Sequence, residues 1–268
     1  MTGIWILAGM VLVVLLAGMI HKHLRGKRRA EVRARDLTPE EWRTLRRRVP
    51  ILGELPGQYR ERLGGLVQVL LDEWSFEACG GLPEVTDEMR LVVAGQAALL
   101  LLESGYEDFG RLRSILLYPD AFGVRDDYGM EDVRLGESWE TGSVVLSWQS
   151  ILEGAQVPDD GLNVVLHEFA HQLDQADGVA DGVPALRASS DYENWSTAFQ
   201  RSYDELCGQV ERGEDPFLDP YGATDPAEFF AVATETFFEK PRDLRRHDPA
   251  VYREMRQFYG LDPAEWGA

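Results

Sequence analysis

Two histidines four residues apart with a glutamate beside the first, His167-Glu168-Phe169-Ala170-His171, are the residues of this chain best suited to do chemistry. On an α-helix, positions four apart lie about 40° from each other around the axis and one turn along it, so both imidazoles face one point. Two neutral imidazole nitrogens there can share one metal ion, and the pattern reads as a zinc site. Glu168 is too close to serve as a third tetrahedral ligand, but it can reach a water on that ion, which is where a general base belongs. With 5 histidines and 46 acidic residues in 268, such a pattern is expected by chance roughly 0.016 times in a chain of this composition.

A catalytic zinc takes three protein ligands and keeps one position open. Downstream, Asp225-Pro226-Ala227-Glu228 has the form of a helix start, with a capping residue, proline at the first position and glutamate at the third. Glu228 could therefore close a capping box. Yet Phe229, Phe230, Val232, Ala233, Phe237 and Phe238 predict a deeply buried helix, and a carboxylate inside one needs a partner such as a metal ion. Glu235 lies two turns on and on roughly the same face, so spacing leaves Glu228 and Glu235 both open as ligands. Asp174 and Asp177 follow His171, and Asp174 suits a carboxylate that holds an imidazole N–H. The Tyr221 hydroxyl reads equally as an oxyanion donor or as a satisfied buried phenol. His247, within Arg245-Arg246-His247-Asp248, reads as solvent-facing.

The elements that must position these groups are legible in outline. Leu63, Val67, Leu70 and Leu71 recur at helical spacing between Gln58 and Trp74. Thr86-Asp87-Glu88 opens a helix whose stretch Leu91 to Leu102 is apolar almost all round, which predicts a central core helix that carries no chemistry. Ser114–Tyr118, Ala121–Val124 and Val144–Trp148 read as strands, with a polar, acidic loop over Arg125–Val133. Val144–Trp148, just ahead of the histidine helix, is a candidate edge for an extended peptide, with Glu137 and Trp139 as possible groove residues. The histidine helix is expected from about Leu162 to Ala176, and an amphipathic helix from Tyr192 to Arg212. The outcome is an α+β body, mostly helical with a small mixed sheet.

Charge divides the chain. Residues 21–48 hold 11 Lys/Arg against 4 Asp/Glu, whereas residues 49–268 hold 16 against 42, within a net charge of −19. A body so acidic repels phosphate backbones, which excludes nucleic acid as a partner. Cys79 and Cys207 stand far apart and outside any metal-ligand spacing, in keeping with a reducing compartment.

Gly3 to Ile20 carries no charge, a length at the short end for a membrane-spanning helix. No Lys or Arg precedes it, and Lys22, Arg25, Lys27, Arg28, Arg29, Arg33 and Arg35 follow, which favours an uncleaved anchor over a signal peptide. By the positive-inside rule the body is expected in the cytoplasm. The expected organisation is an anchor at 1–21, a basic juxtamembrane linker at 22–48 and a catalytic domain at 49–268. His21 and His23 beside Lys22 read as an incidental polar flank.

Several separated stretches resemble one family in order: Val164 to Asp174 around the histidines, Tyr221 seven residues ahead of Glu228-Phe229-Phe230-Ala231, Tyr118-Pro119-Asp120-Ala121-Phe122, Gly136-Glu137-Ser138-Trp139, and Val144 to Trp148. Over about residues 50–262 the chain is similar to the MtfA (Mlc titration factor A) family of bacterial zinc peptidases, whose catalytic region is similar in turn to that of anthrax lethal factor. The resemblance implies a zincin-like fold, a peptide or protein substrate, and Zn2+ held by His167, His171 and Glu228. It further implies Glu168 as base and Tyr221 as a catalytic hydroxyl, and so favours Glu228 over Glu235. The family's name also implies a regulatory protein partner, with sequestration of a transcriptional repressor as the alternative to catalysis. Joined to the apolar run, it implies a single-pass protein of the bacterial inner membrane. The anchor itself departs from the family's soluble members.

Overall fold

In the computed structural model, the described residues are 2–104, 109–110, 112–125, 131–134, 136–139, 142–157 and 159–267; the side chains of 2–9, 11, 12, 14, 15, 21, 122–125, 131–134 and 137–139 lie outside the description. Helices α1 (Thr2–Arg33), α2 (Pro39–Arg48), the single turn α3 (Ile51–Glu54) and α4 (Gly57–Glu73) come first. Strand β1 (Ser75–Ala78) and helix α5 (Asp87–Leu101) follow, then strands β2 (Ser114–Tyr118), β3 (Phe122–Arg125), β4 (Glu131–Arg134), β5 (Gly136–Trp139) and β6 (Ser143–Ser147). Helices α6 (Trp148–Gln156), α7 (Val164–Asp174), α8 (Asp191–Glu211), α9 (Pro226–Glu239), α10 (Pro241–His247) and α11 (Pro249–Tyr259) complete the order.

The expected α+β body with a mostly helical mass and a small mixed sheet is what forms. Helix α5 is its centre, capped by Thr86 and buried from Met89 to Leu101 apart from Arg90. Strands β1, β2 and β6 run parallel, and β5 pairs antiparallel with the far side of β6, in the order β1-β2-β6-β5. A parallel pair needs a long crossover, and α5 supplies the one between β1 and β2. Ile115, Leu117, Val144 and Leu146 are fully buried, as the β-branched and leucine-rich runs require in a covered parallel sheet.

Three expectations change at this level. The acidic stretch 125–133 is not all loop: β3 and β4 form an antiparallel ladder from Phe122↔Arg134 to Arg125↔Glu131. Val144–Trp148 is not an edge, because β6 is paired on both sides; the terminal strand is β5. Trp148 opens a helix instead of ending a strand, since the Ser147 hydroxyl accepts from Ser150 N–H at 3.1 Å and caps α6.

Residues 22–48, expected as a linker, are helical over most of their length. Helix α1 runs unbroken to Arg33, and Thr38 caps α2 through a capping box with Glu41. Val32, Leu37 and Leu45 are buried. Arg25 and Arg29 pair with Glu73 at 3.0 and 2.7 Å, and Arg28 meets Asp72 with two bonds of 2.8 Å, so part of the basic cluster is engaged by α4. Among the described residues no helix is long and apolar enough to cross a membrane, so the expected N-terminal span finds no support there. Most side chains of its apolar run lie outside the described residues.

The seat of α1 on α4 is close. A Cβ at Gly65 would lie 2.5 Å from the Arg33 carbonyl oxygen, a backbone atom that cannot swing aside. Gly65→Ala gains about 1 kcal/mol of helix propensity, but overpacking of this kind costs about 1–3 kcal/mol. Urea unfolding should therefore show net destabilisation and proteolysis should cut α1 faster, while metal content stays unchanged.

Candidate metal centre

Helix α7 sets two of the candidate ligand residues. Asn163 caps it, its side-chain oxygen accepting from Leu166 N–H at 3.1 Å. Val165, Leu166, Phe169, Ala170 and Leu173 are buried behind it, with Phe169 stacked on Trp74 at 5.2 Å and edge-on to Phe109 at 4.8 Å. A buried phenylalanine contributes about 1.5–3 kcal/mol, so this face anchors the helix. His167 and His171 leave on the other face.

Helix α9 supplies the third. Asp225 accepts from Ala227 N–H at 2.9 Å and Glu228 N–H at 3.0 Å, with Pro226 at the first position. The Glu228 carboxylate turns to the histidines instead of completing a capping box: Oε2 lies 2.9 Å from His167 Nε2 and 3.3 Å from His171 Nε2, and the two Nε2 atoms are 3.3 Å apart. His167, His171 and Glu228 thus bring one ligand atom each within 4.8 Å of one another, the one such group among the described residues. Two imidazole nitrogens and a carboxylate oxygen form a donor set that a divalent cation fits.

Glu235 lies outside this group. Its Oε1 lies 2.8 Å from His167 Nδ1, and Oε2 accepts from Asn163 N–H. An Nδ1–H held in this way leaves Nε2 to offer its lone pair to a cation. Asp174, expected in that orienting part, instead accepts from Gly182 N–H at 2.9 Å and fixes the loop after α7; burial lifts its pKa to about 6. Asp177 accepts from Val179 N–H at 3.1 Å in its own turn.

Electrostatics here are dominated by buried carboxylates. Burial raises Glu168 to about 7, against the pull of His167 and His171. Burial would also raise Glu228, but its hydrogen bonds to both histidines hold it far below the usual carboxylate range. For His167, burial alone would lower the pKa; the bonds to Glu228 and Glu235 carry it well above the ordinary value. That surplus of negative charge is what a dication would neutralise.

Strand β5 crosses over Glu168. A Cβ at Gly136 would fall 2.6 Å from Glu168 Cγ and Oε1 and 2.8 Å from Val164 Cγ2, so only glycine lets the strand lie this close. The side chains of Glu137 and Trp139 lie outside the described residues. Tyr221, capped by Asp219, brings its hydroxyl to 3.4 Å from Glu228 Oε1 and its ring centroid to 5.9 Å from His167, with the residue 55% exposed. His247 is exposed as expected, with its ring stacked on Phe217 at 4.3 Å. Both cysteines are free and half-buried.

A further layer of polar residues was not foreseen. Gln96, a buried polar side chain on α5, receives a bond from Asn163 Nδ2 at 2.9 Å, and the same amide donates to Glu239 Oε1 at 2.9 Å. Helix α5 therefore makes a polar contact with the residue that caps the histidine helix. One signal was visible: a lone glutamine within an otherwise apolar helix must find a partner.

Residues 23–260 match the family described as Glucose-regulated metallo-peptidase M90. An uncharacterized protein of Synechocystis sp., slr2042, is 40% identical over 94% of this chain and 97% of its own length. Mlc titration factor A of Serratia proteamaculans is 34% identical over 80% of this chain and 85% of that protein, and its counterpart in Yersinia pestis is 34% identical over 80% and 82%.

Glu239 generates a pH test. Burial, with the charges of Glu235 and Asp160, lifts it to about 9 despite bonds from Asn163 and Gly161. A folded pKa above the unfolded value means that its contribution is fully present below about pH 4.5 and is lost as pH rises through about 9. In metal-free protein, Glu239→Gln should remove that part of the decline, up to about 1.4 kcal/mol per pH unit. Urea midpoints from pH 6 to 9.5 should fall less steeply in the variant than in the wild type.

Proposed function

The chain belongs to the glucose-regulated metallo-peptidase M90 family, and on that footing we propose that it is a zinc peptidase that hydrolyses peptide bonds at His167, His171 and Glu228. The carrying observation is the convergence of these three donors beside a buried glutamate, beneath a terminal strand. Zinc suits a donor set of two imidazoles and one carboxylate in a site that keeps one position open. Once bound, it would supply Lewis acidity, polarising an attacking water and the scissile carbonyl.

The remaining steps fall to the chain's own residues. Glu168, with a pKa lifted to about 7, accepts the water proton near neutral pH and returns it to the leaving amine. Tyr221 carries a phenol hydroxyl, and it donates to the developing oxyanion. An extended peptide adds itself to the outer edge of β5, whose inner edge is engaged by β6. We further infer an anchor at residues 3–20, with the body on the cytoplasmic side of a bacterial inner membrane. The supports are the uncharged run, the exposure of Met10, Val13, Leu16, Met19 and Ile20, and the basic residues that follow.

The name of the Serratia and Yersinia relatives favours a second reading, in which this chain binds a regulatory protein with little turnover. The Glu168→Gln protein separates the two. As a peptidase, it should keep its zinc by elemental analysis while peptide-library cleavage falls by about 10²–10⁴-fold, the share of a general base. A wild type that cleaves nothing, alongside a Glu168→Gln protein that still captures the regulator, favours binding. Gly136→Ala, which drives a methyl group against Glu168, should likewise keep zinc and lower kcat. Chelation should abolish cleavage, and added zinc should restore it.

A further inference from the structure

Behind the three donor residues lies a line of buried polar contacts that the proposed reaction does not use. It begins on α5 and ends on a histidine ring. Gln96 Oε1 and Glu239 Oε1 each accept from the Asn163 side-chain amide at 2.9 Å. Asn163 N–H in turn donates to Glu235, whose other oxygen lies 2.8 Å from His167 Nδ1. All four residues in this line before the histidine are buried, with exposures of 1% for Gln96, 2% for Asn163, 5% for Glu235 and 6% for Glu239.

We propose that Asn163 is a positioning residue of the metal centre: α5 and α9 pin its side-chain amide so that its backbone N–H holds Glu235 against His167 and fixes that ring toward the metal. The inference rests on the metal-centre reading above and adds a residue that contacts neither substrate nor metal.

The case is one of valence. Asn163 has one backbone donor, two side-chain donors and one side-chain acceptor, and each meets a named group: Glu235, Gln96, Glu239 and Leu166 N–H. Capping of α7 uses the acceptor alone. Serine or aspartate would cap as well as asparagine, but neither presents two donors to Gln96 and Glu239. The choice of an amide is thus unexplained by the helix start and explained by the contacts behind it. Glu235 needs this grip because it sits buried at an interior position of α9, and without Asn163 N–H one of its oxygens would be buried with no donor. The same stripe of α9 carries Glu228, Glu235 and Glu239, seven and then four residues apart, within about 20° of one line along the helix. One face of α9 therefore offers a metal ligand, the acceptor for a second ligand, and the anchor of the residue that places that acceptor.

The test is zinc affinity by competition with a chromophoric chelator, together with the visible spectrum of the cobalt-substituted protein, which reports ligand geometry. Asn163→Ser keeps the cap and removes both side-chain donors. It should bind zinc about 10-fold or more weakly, the usual effect of losing a partner behind a ligand, and should shift the cobalt bands. Glu239→Gln, which keeps an acceptor for Asn163, should stay within twofold of wild type. If Asn163→Ser binds within twofold of wild type with unchanged bands, the residue is only a cap and the proposal is overturned. If Asn163→Ser does not fold, Gln96→Leu decides: it removes one of the amide's two acceptors and leaves the cap untouched. A several-fold loss of affinity with shifted bands supports the proposal, and wild-type behaviour overturns it. A wild-type protein that takes up no zinc overturns the metal centre itself, and this inference with it.

Discussion

Four carboxylates along one seam, the buried Glu168, Glu235 and Glu239 and the half-buried Glu228, are the constraint to which this structure answers. A charged carboxylate removed from water is costly unless a donor or a cation compensates it. Each of the four is compensated differently. Glu228 has two imidazoles, and Glu235 has one imidazole and a backbone N–H. Glu239 keeps a proton at neutral pH, and Glu168 sits near the balance between its two forms. The packing of α7 against Trp74 and Phe109, the capping of α9 by Asp225, and the single polar break in the buried face of α5 all hold these compensations in register.

What could be read beforehand follows from the range over which each signal acts. His167, Glu168 and His171 lie within one turn and a half of a helix, so their geometry is local and the spacing alone states it. Glu228 stood level with Glu235 on spacing, because both share a face of α9; the choice between them depends on where α7 docks, which is a tertiary fact. The long helices were legible because their apolar faces repeat over several turns. Strand order was not: Val144–Trp148 has the composition of a strand wherever it sits in the sheet, and only pairing shows that β5 covers it. Asp174 had the right distance in sequence to orient an imidazole but is drawn away by the Gly182 N–H, whereas Glu235, far off in sequence, is brought close.

The basic cluster illustrates a different limit. Arginines after an apolar run read as a flank for lipid headgroups, and that reading uses composition only. The structure gives Arg25, Arg28 and Arg29 acidic partners at the end of α4, and Gly65 lets the two helices touch. Surface ion pairs are each weak, but together with buried Val32 and Leu37 they continue α1 into the body as one element instead of a tether.

The proposed addition of a peptide to strand β5 has one more implication. A groove that recognises its occupant through backbone N–H and C=O groups at a sheet edge accepts only chain that has left its own helix or sheet. For a folded protein, presenting such a segment is a local opening whose free energy ranges from near zero at a frayed end to the full stability of the domain in its core. Selection at this edge would then be made largely by the other molecule. Proteins with loose termini or partly unravelled loops would be consumed first, and a binding event elsewhere that stiffened one of them would spare it without touching the metal centre at all.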